Sequence, residues 1–228
     1  MASAKDLIVR PITSIAARAF IRRVHYSGKV VNNSILNLGV FLDGTLHGVM
    51  QFGSPLDKRK VIGLVCGTAW NNFLELNRLA FDDALPKNSE SRAIGVAFRI
   101  IKKQYPHIKW ILSYADATQC GDGTIYRASG FLLTGIKENK SMNRKPDGSV
   151  ICDKTLRSPN HLSSGFTKGS GSMSKYVEAG YRPLPGFQLR YIYFIDPTYR
   201  DKLTVPEIPF SKIKEAGASM YKGKAPEA

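Results

Sequence analysis

At 228 residues with 43% hydrophobic side chains, the chain can bury one good core and is most simply one domain with a tail. Its 33 Lys and Arg against 18 Asp and Glu leave a formal charge of +15, which draws polyanions, with nucleic acid first and an acidic membrane or a phosphorylated cofactor behind it. Cys66, Cys120 and Cys152 are widely spaced and form no C-x-x-C pair, which argues against a disulfide frame or a zinc knuckle. No apolar run nears the roughly 20 residues that a spanning helix needs, and no apolar signal core follows Met1, so a cytoplasmic protein is expected.

Leu7 to Ile12 reads as a short strand, and Thr13 to Val24 as a capped helix. Ile15, Ala19 or Phe20, and Ile21 or Val24 can face inward, with Arg18, Arg22 and Arg23 as a basic cluster on the other side. His25-Tyr26-Ser27-Gly28-Lys29 follows at the helix exit. This His and Tyr fit a catalytic pair, a metal-ligand pair, or a C-cap whose histidine complements the helix dipole. Asp43-Gly44, between two apolar runs at 35–42 and 45–52, predicts a hairpin. The run from Gly53 to Asn72 is a connector in which Asp57-Lys58-Arg59-Lys60 is solvated.

The segment 73–116 organises the rest. Phe73 to Phe81 is a buried strand with a polar centre at Glu75, Asn77 and Arg78. Asn88 to Tyr105 is a helix with Ile94, Phe98, Ile101 and Tyr105 on one face, and Ile108 to Asp116 is a second strand. Together they predict a β-α-β unit with parallel strands. Ligands of such units collect at the strand C-termini beside the helix N-terminus, where Asp82, Asp116 and the turn from Asn88 through Ser89 to Arg92 fall. Arg92-Ala93-Ile94-Gly95-Val96-Ala97 also fits R-x-x-G-x-A, by which GNAT acyltransferases approach a coenzyme A pyrophosphate. Close helix packing explains Gly95 equally well.

Thr124 to Gly130 reads as a short helix ended by glycine, and Phe131 to Gly135 as a strand. From Lys137 to Arg182 the composition turns to Lys, Asn, Ser, Gly and Pro, which predicts a long, partly mobile basic arm carrying Lys140, Arg144 and Lys145. Tyr176, Tyr181 and Phe187 interleave with the cations, as stacking on bases requires, or they anchor the arm. Phe187 to Ile195 is a final strand, and Asp196-Pro197-Thr198 a turn. The expected organisation is a catalytic domain at 1–195 with a basic insertion at about 137–182, then a polar tail at 196–228, disordered at its end.

The element order resembles a GNAT acyltransferase core: an α/β fold with a mixed central sheet flanked by helices. Within it, His25-Tyr26-Ser27-Gly28, Glu75-Leu76-Asn77-Arg78-Leu79, Ser113-Tyr114-Ala115-Asp116 and Gly123 to Gly130 are similar to blocks of the Mom family of bacteriophage DNA-modification proteins. That resemblance implies a DNA adenine-modifying transferase that makes N6-carbamoylmethyladenine in double-stranded DNA and shields phage DNA from host restriction, acting in the host cytoplasm. It carries over His25, Tyr26, Arg78, Asp116 and Tyr126, and Glu75 with them, as catalytic residues. It brings acetyl-CoA as a donor, held at Ser89, Arg92 and Gly95, and iron as a metal, for which His25 and Asp116 are the ligand candidates. Arg22, Arg23, Lys29, Lys140, Arg144 and Lys145 are the expected DNA contacts, and monomer and homodimer both stay open.

An adenine amine is a weak nucleophile because its lone pair is delocalised, so a base and a donor to a developing oxyanion are both needed. Asp116 at a strand end suits the first role, and Tyr126 or Tyr26 the second. Two other classes remain: an acetyl-CoA-dependent N-acetyltransferase of a protein or small amine, and a non-catalytic DNA-binding protein. The first leaves the basic arm unexplained, and the second leaves Glu75, Arg78 and Asp116 at sheet positions where unpaired charges are costly.

Overall fold

The computed structural model describes residues 3–156, 173–221 and 224. In chain order the elements are β1 (Ile8–Pro11), α1 (Ser14–Val24), β2 (Ser34–Leu42), β3 (Thr45–Gly53), α2 (Lys58–Val61), β4 (Phe73–Phe81), α3 (Ser89–Gln104), β5 (Trp110–Asp116) and α4 (Thr124–Ala128). They continue with β6 (Leu132–Asn139), β7 (Met142–Arg144), β8 (Val150–Cys152), α5 (Asp153–Leu156), α6 (Met173–Glu178), β9 (Arg182–Pro183), β10 (Gly186–Phe194) and α7 (Ser211–Glu215). The chain divides into two compact units, one made of 1–115, 123–135 and 190–212, the other of 116–122, 136–189 and 213–228.

The first unit is built on a seven-stranded sheet in the order β1-β2-β3-β4-β5-β10-β6, antiparallel through β1 to β4 and parallel between β4 and β5. The mixed α/β architecture and the β4-α3-β5 crossover are as the sequence predicts. The hairpin turn is also where Asp43-Gly44 places it, with φ of 49° and 78° as the tight two-residue turn requires. Ala93, Ile94, Ala97, Phe98 and Ile101 form the buried face of α3, and Phe98 stacks on Tyr193 at 4.1 Å. Phe73 lies flat on Trp110 at 4.2 Å within a core completed by Leu64, Val65, Leu112 and Ile192. Burying two large aromatic rings there fixes the start of both parallel strands.

Two expectations change. The Thr13 side chain caps α1 by accepting from the Ala16 N–H at 3.2 Å, and the helix buries Ala17, Phe20 and Ile21 against Val49 and Ala80. Ile15 is left 80% exposed instead of facing inward. The described part of the basic arm is folded: β8-β7-β9 form a three-stranded sheet in the second unit, over a small cluster of Ile151, Leu156, Tyr176 and Tyr181. Tyr176 and Tyr181 are therefore anchors and not open stacking platforms, with the Tyr176 hydroxyl donating to the Leu156 carbonyl at 3.0 Å. Residues 157–172 of the arm, and 222–223 and 225–228 at the end of the tail, lie outside the described residues. Before that end, α7 buries Ile213. Among the described residues no helix is long and apolar enough to cross a membrane.

Candidate active site

The candidate site lies in the first unit, where β4 parts from β5. The two strands pair from Phe73↔Trp110 to Glu75↔Leu112 and no further. On its other edge β4 pairs Arg78 with Gln51 and Leu76 with Phe52, so Asn77 is an extra residue on β4. A bulge of this kind bends its strand and raises its twist. One hydroxyl still reaches across the split: Ser113 Oγ donates to the Leu76 carbonyl at 3.5 Å.

The polar residues of this bent stretch sit close together. Burial raises the Glu75 pKa, opposed by a hydrogen bond from Asn77 and by the charge of Arg78. Burial likewise lowers the Arg78 pKa, against the influence of Tyr26, Glu75 and Tyr126. Tyr114 is raised first by burial and then by Glu75, with Arg190 opposing. Arg190 in turn is lowered by burial, and its guanidinium donates to the Thr134 carbonyl at 2.6 Å and to Thr134 Oγ1 at 3.1 Å. The fold thus brings Tyr26, Glu75, Arg78 and Tyr126 from separate stretches into one electrostatic neighbourhood. Clusters of shifted groups gather at functional sites and in structural networks of charges alike.

His25 ends α1 and is half-buried, while Tyr26 is 50% exposed, their rings 4.4 Å apart. The Ser27 N–H points at His25 Nδ1 from 3.2 Å, and Ser27 Oγ lies 2.9 Å from the same nitrogen. An N–H can only donate, so Nδ1 is the acceptor and the neutral ring carries its proton on Nε2. Tyr126 is buried on α4 between Phe131 and Tyr191, each 5.2 Å away. Its helix starts at Gly123, whose φ of +83° and whose closeness to the Tyr191 ring, 2.5 to 2.7 Å from any added Cβ, exclude a side chain.

Asp116 belongs to the second unit. Its carboxylate accepts from the Thr118 N–H and the Gln119 amide, both at 2.9 Å, and its carbonyl accepts from the Cys120 and Gly121 N–H groups. It organises the turn that leaves β5. Among the described residues no three His, Cys, Asp or Glu side chains are grouped to hold a metal ion, so the iron implied by the resemblance has no donor set there.

At the N-terminus of α3, Asn88 adopts a left-handed conformation and gives no side-chain cap. Ser89 is buried and its hydroxyl donates to the Pro86 carbonyl at 2.6 Å. Arg92 and Gly95 stand inside the helix, not before it: the Arg92 N–H donates to the Asn88 carbonyl, and the Arg92 guanidinium reaches the Lys5 carbonyl at 3.4 Å. A Cβ at Gly95 meets nothing within 4 Å, so helix packing does not account for this glycine.

Of the cations expected on DNA, Arg22, Arg23 and Lys29 are exposed beside Tyr26 in the first unit. In the second unit Lys140 pairs with Glu138 at 2.7 Å, Lys145 lies 3.7 Å from Asp147, and Arg144 is exposed on β7. Sequence reasoning passed over Arg190 and Gln51 as site residues. Gln51 is fully buried opposite Arg78, donating to Asn37 Oδ1 at 2.6 Å and to Ser34 Oγ at 3.2 Å. A polar residue inside an apolar strand was the available signal in both cases.

A model of the Mom protein family matches residues 6–212, and the chain belongs to that family. Over 200 residues it is 42% identical to the methylcarbamoylase mom of Escherichia phage Mu, a match covering 87% of this chain and 80% of that one. Among solved structures it is similar to a spermidine/spermine N-acetyltransferase of Vibrio cholerae, at 10% identity and TM-score 0.46 over 85% of this chain and 95% of that one. It is also similar to a GNAT family acetyltransferase of Elizabethkingia anophelis, at 11% identity and TM-score 0.43 over 83% and 98%.

Proposed function

We propose that this enzyme converts adenine in double-stranded DNA to N6-carbamoylmethyladenine in the host cytoplasm, protecting phage DNA from restriction. The observation that carries the reading is the 42% identity to the phage Mu methylcarbamoylase along most of the chain.

The cluster on β4 supports it chemically. Glu75, whose raised pKa makes its ionised form a stronger base than an ordinary carboxylate, is the base that takes a proton from N6. Arg78, Tyr26 and Tyr126 are the donors that meet negative charge developing on the incoming group. His25 presents Nε2–H beside Tyr26, and Asp116 fixes the turn after β5 on which the substrate end of that strand depends. The adenine must leave the stack to reach these groups, at a cost of a few kcal/mol.

Acetyl-CoA, if it is the donor, would be held at the N-terminus of α3, where no side chain caps the helix and the dipole favours a pyrophosphate; when bound it would supply a two-carbon unit. Plain acyl transfer from it yields an N-acetyl group, whereas a carbamoylmethyl group is joined through its methylene carbon and holds one more nitrogen, so a nitrogen-bearing co-reactant and a two-electron oxidant, which takes the electrons of the C–H bond broken at that carbon, are also required.

Mass spectrometry of nucleosides from cells expressing the chain tests the proposal. Deoxyadenosine carrying a carbamoylmethyl group, absent with Glu75→Gln, supports it. An added acetyl group points to an ordinary N-acetyltransferase, and unmodified DNA beside abundant folded protein overturns it.

A further inference from the structure

The loop between β3 and α2 holds an apolar side chain in a place that the core does not explain. Leu56 is 83% exposed, although Pro55 before it is buried. An exposed leucine alone is ordinary, but this one sits on a loop fixed at both ends. The Ser54 carbonyl accepts from the side-chain amides of Asn33 and Asn77. Asp57 accepts from the Lys60 N–H at 3.4 Å and pairs with the Lys60 ammonium at 2.8 Å, starting α2. Proline fixes one backbone angle between these two clamps. Leu56 therefore stands out from the surface between two anchored residues.

Its surroundings are cationic. Lys58 lies over the rings of Trp70 and Phe73, at 5.1 and 5.0 Å, and Arg59 and Lys60 are exposed. The clamp is also shared with the candidate site, because Asn77, which donates to Ser54, hydrogen-bonds Glu75 as well. Leu56 lies two residues beyond Ser54, about 8 Å of chain at most.

We propose that Leu56 is an apolar wedge that enters the base stack of duplex DNA as the target adenine leaves it, with Arg59 and Lys60 on the flanking phosphates. The inference rests on the DNA reading above. An extruded base leaves a gap in the stack, and an exposed leucine flanked by cations is chemically suited to enter the opened step.

A wedge unwinds the duplex, so the test is plasmid relaxation by a topoisomerase with the full-length protein bound, compared at equal DNA occupancy for the parent, Leu56→Ala and Leu56→Met. The parent and Leu56→Met are expected to shift the linking-number distribution, and Leu56→Ala to lose most of that shift while melting at the same temperature. In cells, Leu56→Ala should lower the modified-adenine level about tenfold or more, a fraction of the extrusion cost. A parent that binds without shifting the distribution, or a Leu56→Ala variant that shifts it as the parent does, overturns the wedge and leaves the DNA reading standing. A parent that neither binds duplex DNA nor modifies adenine overturns both.

Discussion

Nε of Arg78 donates to the backbone carbonyl of Lys29 at 2.9 Å, tying the bulged strand β4 to the loop that carries His25 and Tyr26, 49 residues away. Nη1 of the same guanidinium donates to the Asn77 carbonyl at 2.6 Å. A planar fork can hold two carbonyls at fixed angles, and an ammonium cannot. Arg78→Lys should therefore keep the charge and lose the geometry. We expect a stability loss of about 1–3 kcal/mol in urea unfolding and modified adenine reduced at least about tenfold. Full modification by this variant would remove the fork from the mechanism.

Glu75 gives the fold a pH signature. Its pKa is raised above the ordinary value of 4.5, chiefly by burial. The folded state then holds more protons than the unfolded one between the two pKa values, so stability falls as pH rises from the unfolded value through the folded one. Glu75→Gln removes the titration. The variant should be more stable than the parent above that window, show no such gain below it, and leave adenine unmodified. Parallel stability curves across pH would contradict this burial effect.

Gly95 separates helix propensity from donor contact. With nothing within 4 Å of an added Cβ, Gly95→Ala should stabilise α3 by about 0.5–1 kcal/mol, read as a rise in melting temperature, and preserve modification. A more stable but inactive variant would place the donor against the second turn of the helix.

Gly123 and Tyr126 lie three residues apart and should fail differently. Gly123→Ala combines a left-handed backbone with a collision against the Tyr191 ring, and should lower stability by roughly 3 kcal/mol or more. Tyr126→Phe keeps the ring contacts with Phe131 and Tyr191. Its melt should stay within about 2 kcal/mol of the parent while modification is lost. An active Tyr126→Phe variant would leave that hydroxyl with no catalytic role.

Local patterns of residues were enough to determine several elements. Asp43-Gly44 supplied the two positive φ angles of the hairpin, and the three-and-four spacing of Ile94, Phe98 and Ile101 set the face of α3 that meets the sheet. The polar centre of β4 was legible as well, because Glu75, Asn77 and Arg78 interrupt an apolar run. The tertiary structure alone decided which distant residues meet. The pairing of Gln51 with Arg78 and of Phe52 with Leu76 makes Asn77 a bulge, and packing against Val49 and Ala80 turns Ile15 outward. Tyr176 and Tyr181, which the sequence leaves open between stacking on bases and anchoring the arm, are anchors because they pack with Ile151 and Leu156. Periodicity fixes the face that a segment presents to its neighbours; the register between strands and the choice of partner depend on contacts between residues far apart in the chain, which local spacing does not encode.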